Sequence, residues 1–187
     1  MYNRKDAYYK RAKAEGYSSR AVYKILEIHK KYGLFSKNSK ILDCGAHPGG
    51  WSEAALPFLG KDALIAAVDL IDTTVNDTRF HFLKGDIRTE ETFVWITAQS
   101  ERYDLVMSDI APNTIGTGDH DRSIELAEIV ITIAERVKAE KLLFKLFDGA
   151  GTKNLMQSLR KEYKSVRIIR PDATRKSSFE IYILCER

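Results

Sequence analysis

One lysine stands inside an apolar run. Lys145 lies between Phe144 and Leu146 in the stretch Lys-Leu-Leu-Phe-Lys-Leu-Phe, residues 141–147. A lysine is almost never fully buried without a partner, because stripping water from an ammonium is costly. Lys145 is therefore expected at an edge or at a site. Three more charges fall where chain order can bring them near it. Asp109 follows an apolar run that should form the adjacent strand, Glu180 opens the last strand-like run, and Lys24 lies on the first basic helix. Each alone is equally consistent with a surface ion pair. As a group they form one constellation of two ammonium groups and two carboxylates.

A second candidate is the stretch Asp43-Cys44-Gly45-Ala46-His47-Pro48-Gly49-Gly50-Trp51. It follows the apolar Ile41-Leu42 and precedes the helix-prone Ser52-Glu53-Ala54-Ala55-Leu56, so it reads as strand, glycine-rich turn and helix. That is the first unit of a nucleotide-binding α/β fold. Gly45, Gly49 and Gly50 let the backbone take positive φ and approach a ligand closely, and Pro48 stiffens the turn. The glycine spacing does not match a dinucleotide fingerprint, and no Gly-Lys-Ser/Thr phosphate loop is present. In open α/β sheets, ligands bind outside the carboxyl ends of the strands. Four carboxylates are expected there: Asp43, Asp69, Asp86 and Asp109. Asp69 is placed to accept hydrogen bonds from ribose hydroxyls, and Asp86 comes next along the crevice, near a base. A strand-end aspartate is often only a helix cap, but together the four outline a nucleoside pocket.

The elements that must position these groups can be read from periodicity. Strands are expected at 40–44, 63–68, 80–83, 103–107, 141–147, 165–170 and 179–185. Helices are expected from Ser18 or Ser19 as cap to Gly33, from Gly50 to Leu59 with Pro57 as a kink, and over 89–99, 122–138 and 152–163. Residues 1–17 are polar and basic, with Tyr2, Tyr8, Tyr9 and Tyr17 interleaved and no element assigned. Strands alternating with helices predict a Rossmann-like α/β fold, a mainly parallel seven-stranded sheet with helices on both faces. A single domain over 1–187 is expected, since no repeat, low-complexity tract or second core is visible.

The chain has 187 residues and a net charge of +4 that is unevenly divided. Residues 1–40 hold 11 Lys/Arg against 3 Asp/Glu, residues 41–151 hold 10 against 19, and residues 152–187 hold 9 against 4. Basic ends around an acidic middle suit a polyanion gripped by both termini and a cationic small ligand between them. No apolar run approaches the ~20 residues of a membrane span, and Met1–Asp6 has no apolar core of a signal peptide. Cys44 and Cys185 make neither a disulfide framework nor a zinc site, and they fit a reducing compartment. None of the four His suggests a metal cluster.

Five stretches in register carry a resemblance to a known family. Gly16-Tyr17-Ser18-Ser19-Arg20-Ala21-Val22-Tyr23-Lys24, the Asp43–Trp51 turn, Ser108-Asp109-Ile110-Ala111-Pro112-Asn113, Phe144-Lys145-Leu146-Phe147 and Pro171–Tyr182 (with Arg175, Ser177, Ser178 and Glu180) follow one another in order. The chain resembles the FtsJ/RrmJ-type ribose 2′-O-methyltransferases over essentially its whole length. It departs from their pattern at Ser18, where arginine is usual, at Cys44 and His47 in the glycine turn, and at Asp72-Thr73-Thr74.

The resemblance implies an S-adenosylmethionine (SAM)-dependent fold and a catalytic tetrad at Lys24, Asp109, Lys145 and Glu180. It implies cofactor contacts from Asp43, Gly45, Ala46, Pro48, Gly49, Gly50, Trp51, Asp69, Asp86 and Asp109, and no metal. It also implies RNA as partner. Lys10, Arg11, Tyr17, Arg20 and Arg175 are the candidate RNA-binding residues, the cations for phosphates and Tyr17 for a base. Large-subunit ribosomal RNA is the expected substrate, naked or within a ribosomal particle, by metal-independent in-line methyl transfer. A tRNA or mRNA-cap substrate is the alternative within the same chemistry. A catalytically silent RNA-binding protein of the same fold is the alternative outside it. A cytoplasmic monomer is expected, with an organellar matrix as the other setting.

Overall fold

The computed structural model describes residues 7–112, 119–175 and 178–187. Seven strands form one sheet: β1 (Lys40–Cys44), β2 (Leu64–Asp69), β3 (Phe80–Lys84), β4 (Leu105–Ser108), β5 (Lys141–Phe147), β6 (Ser165–Ile169) and β7 (Glu180–Glu186). Their order across the sheet is β3-β2-β1-β4-β5-β7-β6. Neighbours from β3 to β5 are parallel, and β7 runs antiparallel to both β5 and β6. The expected fold class is thus the observed one.

Side-chain alternation along the strands explains the two-sided core. Ile41, Ile65, Met107, Leu143, Tyr182 and Leu184 point to one face and pack with α1 (Ala7–Ala14), α2 (Val22–Tyr32) and α3 (Gly50–Ala55). Their sequence neighbours Leu42, Ala66, Val106, Leu142, Ile181 and Ile183 point to the other face. There they meet α4 (Glu90–Gln99), α5 (Asp119–Arg136) and α6 (Thr152–Glu162). Both faces are therefore covered, as strands of continuous apolar sequence require.

Local chemistry sets the element ends. Gly33 takes φ +61° and its N–H closes on the His29 carbonyl at 2.8 Å, ending α2 in the left-handed region. Thr89 Oγ1 accepts the Thr92 N–H and caps α4. After α3 the chain tightens into a 3-10 turn over Leu56–Phe58, so the helix expected through Leu59 is shorter, with Pro57 unable to extend the i→i−4 ladder.

Three sequence expectations need correction. Residues 7–14 form a helix that periodicity did not reveal, because among its eight residues only Ala12 is buried. Ser18 and Ser19 do not cap α2. Ser18 gives both its N–H and its hydroxyl to Glu53 Oε2, at 2.8 and 2.7 Å, and Ser19 Oγ accepts the Ala21 N–H at 3.1 Å. The helix expected from Arg122 begins at Asp119. Asn113 and Ser177 lie outside the described residues.

At the end of β1 the chain must turn sharply beneath Ile110. Gly45 has φ +78°, and a β-carbon there would lie 2.1 Å from Ile110 Cγ1. Gly45→Ala is expected to lower the unfolding free energy by about 2–4 kcal/mol, combining left-handed backbone cost with overpacking. Guanidinium melts measure it, and an unchanged midpoint would show that the turn relaxes freely.

Candidate active site

The sheet topology delivers the charged groups to one edge. Asp43 and Asp69 lie at or near the carboxyl ends of β1 and β2, and Asp109 directly follows β4. Lys145 lies two residues before the end of β5. Because β7 is antiparallel, its first residue Glu180 arrives at that same edge, opposite Phe147, while Tyr182 stands opposite Lys145. Paired residues share a face, so Lys145 and Tyr182 both project toward α2, which carries Lys24.

Here the structure joins four of the expected residues. Lys145 Nζ donates to Asp109 Oδ1 at 2.9 Å and also to the Asp109 carbonyl. Lys24 Nζ donates to Glu180 Oε1 at 2.5 Å. The two ion pairs meet at Tyr182, whose hydroxyl lies 2.9 Å from Asp109 Oδ1 and 3.1 Å from Glu180 Oε1 and accepts from Lys24 Nζ at 3.2 Å. Glu180 is thus bonded to Lys24 and Tyr182, and Lys145 to Asp109. The side chains of Lys24 and Lys145 are only 7% and 8% exposed.

Electrostatics follow from that enclosure. Burial alone would raise the Asp109 carboxyl, but the ammonium groups of Lys145 and Lys24, with hydrogen bonds from Lys145 and Tyr182, hold it below the usual carboxylate range. Tyr182 is pushed well above the ordinary phenol value by burial and by the charges of Asp109 and Glu180. It therefore stays a protonated donor. Tyr182 was visible in sequence only as part of the closing motif. Nothing in its own neighbourhood along the chain signalled that it would stand between two carboxylates.

Beside the network is a cleft lined by Ser19, Ala21, Asp43, Gly45, Ala46, His47, Pro48, Gly50, Trp51 and Asp109. Asp43 forms its floor. The carboxyl is fully enclosed, takes a hydrogen bond from Ser52 Oγ at 2.6 Å, and is raised to about 7. Burial is the main cause; the Ser52 bond opposes it, and the charges of Asp109 and Asp69 add to it. Trp51 Nε1, also buried, has no hydrogen-bond partner among the described residues. Asp69 and Gly49 lie outside that lining: Asp69 accepts the amides of His47, which lines the cleft, and of Ile71, both at 2.9 Å, one on each oxygen, and each oxygen keeps a lone pair for another donor. Gly49 has φ +122°, and a β-carbon there would lie 2.4 Å from Val75 Cγ2. This donor set suits a ligand with positive charge and hydroxyl groups.

Other expected residues lie further out. Asp86 belongs to the turn after β3, and its carboxylate is clasped by Arg88, with Nε at 2.9 and 3.0 Å. That clasp, above all its hydrogen bond, lowers the Asp86 carboxyl. Asp86 is not in the cleft lining. Lys10 and Arg11 lie exposed on α1, which packs on α2 through Tyr8 and Tyr23 at 5.6 Å between rings. Arg11 bonds Glu15 at 2.7 Å and stacks over Tyr23 at 4.8 Å. Tyr17 meets Tyr23 edge-on at 6.4 Å. Arg20 lies half-buried just before α2, and Arg175 lies half-buried in the approach to β7, where its carbonyl accepts the Ser178 N–H at 2.9 Å.

Among the described residues no group of three or more His, Cys, Asp or Glu could hold a metal ion, and no helix is long and apolar enough to cross a membrane. Cys44 and Cys185 are buried free thiols.

Strand order and the placement of the glycine turn put the molecule among the α/β proteins of methyltransferase type. Sequence comparison then fixes the family. The FtsJ-like methyltransferase profile matches residues 17–187, and the chain belongs to that family. It is similar to a Coxiella burnetii protein named ribosomal RNA large subunit methyltransferase E, 40% identical over 190 residues, covering 96% of this chain and 89% of that one. A Borrelia duttonii protein of the same name is 40% identical over 191 residues, covering 100% and 97%. Among solved structures, one described as a ribosomal RNA methyltransferase from Plasmodium falciparum is similar with a TM-score of 0.78 and 28% identity. That match covers 91% of this chain and 98% of the other.

The enclosed Asp43 gives a pH test. Its folded value, about 7, lies above the ordinary 3.8, so the folded state holds the extra proton between these limits. Stability must then fall as pH rises through that window. Asp43→Asn, which can still accept from Ser52, should flatten the slope and make the ligand-free protein more stable at pH 7.5. Guanidinium melts at pH 5 and 7.5 decide it; equal slopes in parent and variant would remove Asp43 as the cause.

Proposed function

We propose that this chain is a SAM-dependent methyltransferase acting on a ribose 2′-hydroxyl of large-subunit ribosomal RNA. The observation that carries the reading is Lys145, enclosed and held 2.9 Å from Asp109 Oδ1 beside the acidic cleft. The names of the relatives, and their match to nearly the full chain, support the substrate.

SAM carries a methyl group on a sulfonium, already activated for transfer to a nucleophile. The residues present fit it. Asp43 and Asp109 offer negative charge to its cationic groups, Asp69 offers lone pairs to its ribose, and Trp51 Nε1 offers a donor without a partner of its own. Gly45, Ala46, Pro48, Gly49 and Gly50 supply the backbone wall, whereas Asp86, turned to Arg88 outside the cleft lining, would reach a base only by leaving that clasp. On this reading a bound cation would offset the burial and the repulsion that together raise Asp43, favouring its ionised form.

Lys145 then does the acid–base work. Its neutral form accepts the proton of the 2′-hydroxyl, while Asp109 aims Nζ and Glu180, Lys24 and Tyr182 hold Asp109 and the edge around it. RNA crosses the face presented by α1, α2 and the approach to β7. Lys10, Arg11, Arg20 and Arg175 meet phosphates, and Tyr17 offers a ring to a base. Phe179, 74% exposed and next to Glu180, offers a second ring. A cytosolic or organellar setting with reduced thiols belongs to the same reading.

Two substitutions test it. Lys145→Ala is expected to slow methyl transfer to unmodified large-subunit RNA about 100- to 10,000-fold while SAM affinity stays near parental. Lys145→Arg keeps the charge but cannot deprotonate, so it should be equally slow. Near-parental single-turnover rates in Lys145→Arg would end the role of Lys145 as base.

A further inference from the structure

The carboxyl end of β5 has a missing neighbour. β4 stops at Ser108, which is paired with Phe144, while β5 runs on through Lys145, Leu146 and Phe147. On its far side this overhang is covered by β7. On the near side no strand of the described residues continues beside it, so backbone groups there take other partners. Two side chains from the first turns of α5 supply them. Ser123 Oγ accepts the Phe147 N–H at 2.9 Å, and His120 Nδ1 contacts the Phe147 carbonyl at 2.6 Å.

His120 makes a second contact that fixes its state. The Gly151 N–H lies 2.9 Å from His120 Nε2. A carbonyl can only accept and an amide N–H can only donate, so Nδ1 carries the proton and Nε2 is bare. In this arrangement the ring donates through one nitrogen and accepts through the other, which is a single tautomer. Close fit reinforces it, for a β-carbon on Gly149 would lie 2.6 Å from the His120 ring. The clasped turn also holds β7, because Asp148 N–H donates to the Phe179 carbonyl at 2.8 Å.

We infer that His120 and Ser123 are positioning residues for methyl transfer: they replace the absent strand beside Phe147 and so hold Lys145 and Glu180 in register. Phe147 is two residues from Lys145 along β5 and directly opposite Glu180 in β7. Neither His120 nor Ser123 is assigned any contact with cofactor or RNA. Their effect runs through the backbone of β5, where a shift of about 1 Å can cost on the order of 100-fold in rate. The inference rests on the reading of Lys145 as base.

The test uses the full chain, tritiated SAM and unmodified large-subunit RNA under single-turnover conditions. His120→Leu and Ser123→Ala are each expected to slow transfer about 10- to 100-fold, with affinities for SAM and RNA within about twofold of parent. His120→Gln, which keeps one donor and one acceptor, should recover most of the rate. A merely structural role would lower the melting temperature without this rescue. Parental rates in His120→Leu, or a His120→Gln as slow as His120→Leu, overturn the inference. Should His120→Leu fail to fold, Ser123→Ala decides: a parental rate in it overturns the proposal and a slow one supports it. Nitrogen NMR of the parent, with no RNA added, must show the Nδ1–H tautomer; the other tautomer overturns the clasp. If the parent methylates no RNA, the functional reading has failed. The clasp is then judged by amide shifts at Lys145 and Glu180 in Ser123→Ala, and their constancy sinks it.

Discussion

Two ammonium groups and two carboxylates are withdrawn from water together at the carboxyl edge of the sheet, and each is tolerable only because the others are there. An isolated buried charge costs several kcal/mol, and removing one partner of a buried pair typically costs about 3–5 kcal/mol. The chain therefore has to bring Lys24, Asp109, Lys145 and Glu180 to one place from four distant segments. Parallel β4 and β5 set Asp109 beside Lys145. The reversed β7 sets Glu180 at the same end, and α2 lays Lys24 over it. A parallel β7 would have put Glu180 at the opposite edge. The single antiparallel strand is thus a condition of the site.

The acidic floor of the cleft obeys the opposite logic. Asp43 has no cation among its partners in the described residues, and burial above all, with the repulsion of Asp109 and Asp69 added and the Ser52 bond opposing, raises its carboxyl to about 7. Within a short span of the same edge, one carboxylate is held below its usual range by lysines and another is held above it by burial. That contrast separates a network whose charges are paired within the protein from a cleft floor governed by burial.

Much of this was legible in the chain. Apolar runs interrupted by turns placed all seven strands: the central ones, buried on both faces, have little freedom in composition, and the half-exposed edge strands β3 and β6 still carry Phe80, Phe82, Val166 and Ile169. Lys145 announced itself by its charge in such a run, and Asp109 by following the adjacent strand. Helix α1 was hidden because it buries one alanine and is otherwise solvated. Ser18 and Ser19 looked like caps, since the sequence does not show that Glu53, distant along the chain, takes Ser18. His120 and Tyr182 were opaque for the same reason. A histidine in a polar stretch and a tyrosine in an apolar strand gain their meaning only from partners that topology supplies.

Tyr182 carries the argument a step further than stability. Its hydroxyl has one proton and faces two carboxylates, so Lys24, bonded to both Glu180 and the phenol oxygen, must satisfy the rest. Asp109 Oδ1 receives two donors, Lys145 and Tyr182, each at 2.9 Å. On the proposed reading Lys145 has to exist in its neutral form, which withdraws a charge from beside Asp109. The Tyr182 donor and the Lys24 ammonium remain. The Tyr182 hydroxyl, still donating to Oδ1, then keeps Asp109 oriented toward Nζ independently of Lys145's own hydrogen bond.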